Sequence, residues 1–88
     1  MRATIVLLPG DGIGPEVVDA AARVLRKIEL RFGHSFTLKS WPIGAAALRG
    51  GDPPLPSSTL EACLKSDAVL LGAVGDPEYN NVSRDQRP

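Results

Sequence analysis

Residues 7–25 read LLPGDGIGPEVVDAAARVL, and this stretch decides the fold. An apolar run leads into three closely spaced glycines, after which apolar residues recur at the spacing of a helix. A strand, a glycine turn and a helix in this order are typical of α/β proteins, in which helices cover a parallel sheet. Ligands of such sheets bind at turns of this kind, so its residues are the first candidates for a site.

The glycine turn differs from the G-x-G-x-x-G fingerprint of dinucleotide-binding folds, because its third glycine, Gly14, comes one residue early. Pro15 lacks an N–H that could face a phosphate, and Glu16 places a carboxylate in the first helical turn, where it repels anions. A tight structural turn is therefore the favoured interpretation. The alternative is a different ligand-facing role, in which Ile13 offers an apolar contact and Asp11 stabilises the turn.

The rest of the pattern predicts two further strands, one short helix and one longer helix. Gly33 suits the end of the first helix, and the many glycines and prolines in residues 50–56 indicate a connection. In chain order, the predicted elements are a strand at 3–8 that is buried on both faces, a helix from Pro15, a strand at 36–41, a short helix at 44–48, a helix from Ser58 to about Ser66 and a strand at 68–71.

The predicted helices carry two specific signals. Ser58 and Glu61 have the spacing of a capping box, which predicts that their side chains accept hydrogen bonds at the start of the last helix. In the first helix, residues at helical spacing predict the face that packs on the sheet. They are Val17, Ala21, Val24 or Leu25, Ile28 and Phe32.

The composition describes a globular segment without a charged tail. The 88 residues are 43% hydrophobic and 23% charged, with a formal net charge of +0. Nucleic acid is not an expected partner, because no basic face is concentrated, and no apolar run approaches the ~18–20 residues of a membrane span. The first residues lack the cleavage site of a signal peptide. A single cysteine, Cys63, excludes an internal disulfide and fits a reducing compartment, which predicts the cytoplasm.

A second glycine-containing loop, residues 72–77, follows the last predicted strand. Because the carboxyl ends of parallel strands meet at one edge of a sheet, both loops are expected on the same edge. Asp76 could accept hydrogen bonds from a ribose, although an ordinary strand exit is the simpler interpretation. Arg84 and Arg87 could hold an anion or could simply be solvated. The sequence offers no nucleophile–base pair, acid–base couple or metal-spaced cluster.

Two blocks of sequence closely resemble the amino-terminal part of the isocitrate/isopropylmalate dehydrogenase family, whose members are β-decarboxylating dehydrogenases. The first is LLPGDGIGPEV at residues 7–17, and the second covers residues 44–88. The motif G-D-G-I-G-P-E is highly specific for the superfamily. Within it, the run D-A-V-L-L-G-A-V-G and a later R-P favour the isopropylmalate branch.

The resemblance implies an α/β fold of the isopropylmalate dehydrogenase type, a parallel-stranded sheet with flanking helices, which binds NAD without a Rossmann fold. It makes the chain the amino-terminal portion of the first, cofactor-side domain of a larger two-domain enzyme, with no domain boundary inside residues 1–88. Carried over by position, the cofactor-binding residues are Ile13, Gly72, Ala73, Val74, Gly75, Asp76, Pro77, Glu78, Tyr79, Asn80, Asn81, Val82, Ser83, Arg84, Asp85, Gln86, Arg87 and Pro88.

For the full-length enzyme, the resemblance implies oxidation of the 2-hydroxyl of 3-isopropylmalate by NAD, followed by loss of the carboxyl group β to the new ketone. The product is 2-oxoisocaproate (4-methyl-2-oxopentanoate), in leucine biosynthesis, and Mg²⁺ or Mn²⁺ stabilises the enolate. Such enzymes are normally homodimers. Their catalytic and metal-ligating residues come later in the chain, so none is expected in residues 1–88, which alone are expected to be inactive. Two alternatives stay open: a related tartrate, isocitrate or homoisocitrate dehydrogenase, and a non-catalytic truncated remnant.

The chain also departs from the family pattern at two places. Where the family commonly reads G-G-P-K-W, residues 75–79 read GDPEY, which adds the carboxylates of Asp76 and Glu78. Negative charge beside a pyrophosphate opposes binding unless both side chains point to solvent. Ala45 stands where glycine is usual, which matters only if the backbone there needs a positive φ.

Overall fold

In the computed structural model, residues 1–79 are described, and they form a parallel sheet with helices around it. The predicted strands and helices are confirmed, with ends that shift by one or two residues, and a short 3₁₀ helix is added. The elements are β1 (Arg2–Gly10), α1 (Gly14–Phe32), β2 (Ser35–Ser40), α2 (Ala45–Arg49), α3 (Ser57–Lys65), β3 (Ala68–Ala73) and the 3₁₀ helix Pro77–Tyr79.

The three strands lie in the order β2-β1-β3 and are all parallel. In the register, Ile5 of β1 lies opposite Leu38 of β2 and Ala68 of β3. Alternate residues of a strand point to opposite faces, and both sets are buried in β1: Val6 is 1% exposed on one face, and Leu7 is 8% exposed on the other. The prediction of a central strand buried on both faces is therefore confirmed.

Helix α1 covers one face of the sheet. Its Val18 joins Ile5, Leu7 and Phe36 in a buried apolar cluster. The helix ends where Gly33 adopts a left-handed conformation, with φ of 72° and its N–H bonded to the Glu29 carbonyl. That predicted end is confirmed.

The predicted buried face of α1 is wrong at two positions, since Val17 and Phe32 are 50% and 66% exposed. Of the two alternatives Val24 and Leu25, Leu25 packs against the core and Val24 is 59% exposed. Apolar residues stand at both 17 and 18 and at both 24 and 25, so the periodicity allows two rotations of the helix. Gly14 decides between them. A Cβ there would lie 1.8 Å from the Pro9 carbonyl oxygen, so the first turn packs directly against the end of β1.

The opposite face of the sheet lies toward α3. Thr59 of that helix is completely buried, and its hydroxyl donates a hydrogen bond of 2.8 Å to the Pro42 carbonyl oxygen. The predicted capping box is wrong, because α3 begins one residue earlier, has Pro56 at its N-cap and makes no side-chain capping bond. Glu61 instead accepts a hydrogen bond from Lys65, one helical turn later.

Strand β3 lies at an edge of the described sheet and leaves apolar surface uncovered. Val69 and Leu71, which point away from α1, are 45% and 55% exposed. An exposed apolar edge strand is a surface that other polypeptide chains readily pair with. Within residues 1–79, no helix is both long enough and apolar enough to cross a membrane.

Candidate functional site

The glycine turn after β1 and the loop after β3 meet at the carboxyl end of the sheet. The backbone N–H of Asp11 donates a hydrogen bond of 2.7 Å to the Ala73 carbonyl oxygen. The prediction that both loops share one edge is therefore confirmed. Ligands of open parallel sheets bind beyond this edge, so the two loops form the candidate site.

The Asp11 side chain organises this edge. It is 4% exposed, and its two oxygens accept hydrogen bonds of 2.9 Å from Ala45 N and 2.9 Å from Ala46 N. A third N–H, that of Gly75, donates to the same carboxylate at 3.0 Å. The carboxylate thus joins the turn, the start of α2 and the loop after β3. The interpretation that Asp11 stabilises the turn is too narrow, because its side chain bonds two distant segments.

The pKa of the Asp11 carboxyl lies below its ordinary value. Burial by itself raises the pKa, since it disfavours the charged form. The N–H donors of Gly75, Ala45 and Ala46 outweigh that effect. The positive charge of Arg49 lowers the pKa further. Asp11 is therefore ionised at neutral pH, and its charge compensates the N–H groups at the start of α2.

Gly44 allows the close contact between Asp11 and α2. Its φ is 69°, and a Cβ at this position would lie 2.5 Å from the Asp11 Oδ2 atom. Glycine is required here for both reasons. The neighbouring Ala45 is not strained, because within residues 1–79 no residue other than glycine has a positive φ. The departure from the family pattern at Ala45 therefore has no cost in backbone strain.

A second polar cluster joins the far end of α2 to the loop after β3. The Arg49 guanidinium forms an ion pair with Asp76 and a second one, of 3.1 Å, with Glu78. The Asp76 carboxylate also accepts a hydrogen bond of 2.9 Å from the Glu78 N–H. That N–H and Arg49 lower the pKa of Asp76, and the hydrogen bonds that Arg49 donates to Asp76 and Glu78 raise the pKa of Arg49. The two carboxylates that depart from the family pattern are thus paired.

Two apolar side chains are left open at this edge. Ile13 is 59% exposed and Val74 is 40% exposed. Next to them, Gly12 and Gly75 have open space where a side chain would lie, so a ligand can approach their backbone closely. The edge therefore offers an apolar surface beside unobstructed backbone.

The other cofactor residues expected from the resemblance lie in β3, in the 3₁₀ helix and outside the described residues. Gly72 and Ala73 belong to β3 and make internal contacts: a Cβ on Gly72 would lie 2.5 Å from the Pro9 carbonyl oxygen. Pro77 opens the 3₁₀ helix that contains Tyr79. Nine of the predicted residues lie outside the described residues: Asn80, Asn81, Val82, Ser83, Arg84, Asp85, Gln86, Arg87 and Pro88.

Sequence reasoning missed the two side chains that build this edge, Asp11 as a bridge and Arg49 as an ion-pair partner. Asp11 gave a partial signal, since an aspartate between two glycines is typical of a turn. No short sequence pattern predicts that Arg49 pairs with Asp76, which lies 27 residues later. Among residues 1–79, no group of three or more histidine, cysteine, aspartate or glutamate side chains is placed to hold a metal ion.

Comparison with known proteins agrees with the resemblance. The model of the isocitrate/isopropylmalate dehydrogenase family matches residues 4–88. The chain belongs to this family. Two 3-isopropylmalate dehydrogenases, from Nitratidesulfovibrio vulgaris and Rhodopirellula baltica, are each 50% identical to it over 88 residues, or 100% of this chain. The chain spans only 25% and 24% of the lengths of these two relatives.

Solved structures show the same family fold. The TT0538 protein from Thermus thermophilus superposes with a TM-score of 0.73 and 34% identity, over 86% of this chain and 15% of that chain. A β-decarboxylating dehydrogenase from Thermococcus kodakarensis, in its apo form, gives 0.70 and 36% identity over 84% of this chain and 21% of that chain. The predicted α/β class of the isocitrate/isopropylmalate dehydrogenase family is thereby confirmed.

Proposed function

We propose that this chain is the amino-terminal portion of the cofactor-side domain of an NAD-dependent 3-isopropylmalate dehydrogenase. One observation carries the proposal: 50% identity over all 88 residues to enzymes of that name. The full-length enzyme would convert 3-isopropylmalate to 2-oxoisocaproate in leucine biosynthesis. It would act as a homodimer in the cytoplasm. The single cysteine in residues 1–88 fits a reducing compartment of this kind.

In this proposal the described residues hold and orient the cofactor. Ile13 and Val74, both exposed at the sheet edge, contact its apolar ring surface. The open backbone at Gly75 allows its ribose and phosphates to approach closely. Bound NAD supplies the hydride acceptor for the 2-hydroxyl carbon of the substrate. The proposed cofactor-binding set is Ile13 together with residues 72–88.

The remaining chemistry belongs to parts of the enzyme beyond this chain. Among residues 1–79, no group of three or more histidine, cysteine, aspartate or glutamate side chains is placed to hold a metal ion. On the resemblance to the family, we assign the acid–base groups, the ligands for Mg²⁺ or Mn²⁺ and the groups that bind the substrate carboxylates to later residues. Substrate choice among 3-isopropylmalate, isocitrate, tartrate and homoisocitrate depends on those residues as well.

A chimeric enzyme tests the cofactor role. Residues 1–88 would replace the matching segment of the Bacillus subtilis 3-isopropylmalate dehydrogenase, which is 47% identical over 88 residues. We expect the purified chimera to reduce NAD in the presence of 3-isopropylmalate, with a KM for NAD within about tenfold of the parent. A folded chimera that binds no NAD would contradict the proposal and favour a non-catalytic remnant.

The substrate needs a separate measurement. We would read the DNA downstream of the Pro88 codon in frame, express the complete product and compare its kcat/KM for the four substrates. A clear preference for 3-isopropylmalate is expected. A preference for tartrate, isocitrate or homoisocitrate would change the assigned substrate while leaving the cofactor role intact.

A further inference from the structure

Helix α2 is attached at both ends to the loop after β3. At its first turn, the Asp11 carboxylate bonds Ala45 N, Ala46 N and Gly75 N together. At its last residue, Arg49 holds the side chains of Asp76 and Glu78. Five helical residues span roughly 7.5 Å, so the two attachments lie about one and a half turns apart. Two separated attachments restrict both the position and the tilt of the loop.

The attachment at Arg49 also determines the charge of the loop. Asp76 is 25% exposed and Glu78 is 63% exposed at the side chain, so neither charge is hidden from a ligand by burial. Without the guanidinium, the loop would present two negative charges. Two carboxylates beside phosphate groups oppose binding, and a shared cation removes much of that opposition.

We propose that Arg49 is a positioning residue that keeps the carboxylates of Asp76 and Glu78 turned toward α2 and neutralised, so that the loop after β3 accepts an anionic dinucleotide. This inference rests on the proposed function, because the groups that unpaired Asp76 and Glu78 would repel are the phosphates of the proposed cofactor. Arg49 itself need not touch the cofactor. Its effect is exerted through the two acidic side chains.

The test uses the chimera and four variants of it. We expect Arg49→Ala to raise the KM for NAD about five- to tenfold, with kcat changed less than about twofold, because the unpaired carboxylates repel the phosphates. The increase should be larger at low ionic strength, where charge repulsion is less screened. Arg49→Lys, which keeps the charge and loses the forked geometry, should give an intermediate KM.

The decisive variant removes the acidic pair as well. If Arg49 acts through charge, then R49A should raise the KM for NAD in the unmodified chimera but change it little in the D76N/E78Q background, whatever KM that background itself has. If R49A raises the KM equally in both backgrounds, Arg49 only supports the loop structurally and the inference is wrong. An R49A enzyme with an unchanged KM would also overturn it. Failure of the unmodified chimera to bind NAD would instead defeat the proposed function, and this inference with it.

Discussion

Among single residues, Asp11 has the largest share in shaping the candidate site, because one buried carboxylate accepts three backbone N–H groups from two other segments. Buried N–H groups must find acceptors, since each one left unpaired costs about 1–3 kcal/mol. The Asp11 side chain provides acceptors that neither α2 nor the loop after β3 supplies for itself. The Asp11 carboxylate therefore joins the glycine turn, α2 and the loop after β3.

Replacing Asp11 should be costly. In the chimera we expect Asp11→Ala to lower the free energy of unfolding by about 3 kcal/mol, since three donors lose their charged acceptor. Urea unfolding followed by circular dichroism measures this change. Asp19→Ala is the matched control: Asp19 is exposed on α1 and, within residues 1–79, forms an ion pair with Arg23 alone, so we expect a loss below about 0.5 kcal/mol. Equal losses for the two variants would show that the Asp11 network contributes little.

The same carboxylate predicts a dependence on pH. Because the pKa of Asp11 is lowered in the folded chain, its stabilising effect is present above the unfolded-state pKa, about 4, and is lost as pH falls through the lower folded-state pKa. The stability difference between the chimera and its D11A variant should therefore be constant from about pH 7 to 5 and shrink below about pH 4. Urea unfolding across that range measures it, and a difference that grows on acidification would contradict the assignment.

At the level of elements, the order of strands and helices could be predicted because it depends on local pattern. The apolar run before Gly10 and the stop at Gly33 are visible in single short windows. The rotation of α1 could not be predicted, because two valines in a row leave two faces equally apolar. The contact of Gly14 with the Pro9 carbonyl selects one face, and that contact exists only once β1 and α1 have packed. The hydrogen bonds of Asp11 and the ion pairs of Arg49 join residues far apart in sequence. They also form only once the elements have packed, so they could not be predicted either.

The rotation of α1 can be tested by a pair of substitutions. Val18 is 3% exposed and packs in the core, whereas Val17 is 50% exposed. We expect Val18→Ala to lower the free energy of unfolding of the chimera by about 1–3 kcal/mol, because it removes two buried methyl groups. Val17→Ala should cost less than about 0.5 kcal/mol. Thermal unfolding of both variants measures the two losses. A larger loss for Val17→Ala than for Val18→Ala would show that the predicted face is the buried one.

At the level of the whole molecule, the described sheet has apolar surface that nothing in residues 1–79 covers. Val69 and Leu71 of the edge strand β3 are about half exposed, and a groove beside that strand is lined by Ile5, Val24 and Leu70 among other apolar residues. A chain that spans a quarter of its relatives' length has this surface available when it is produced alone.

The isolated 88-residue chain should therefore associate with itself. We expect oligomers or aggregates at micromolar concentration, because apolar edge strands pair between molecules. The double variant Val69→Lys/Leu71→Lys should shift the chain toward monomer, whereas the control Asp19→Lys/Glu61→Lys adds charge on helices and should not. Sedimentation velocity distinguishes these cases. A monomeric, cooperatively melting wild-type chain would instead indicate an independent module.

The central position of β1 has a consequence for how the protein is made. The most deeply buried strand leaves the ribosome before both of its neighbours, since Ile5 pairs with Leu38 and with Ala68, which come later in the chain. At roughly 5–20 residues per second, β1 remains without its second neighbour for several seconds of synthesis. During that interval its run of aliphatic side chains is a natural binding segment for a chaperone, and synonymous codons that slow translation between β2 and β3 would lengthen the exposure.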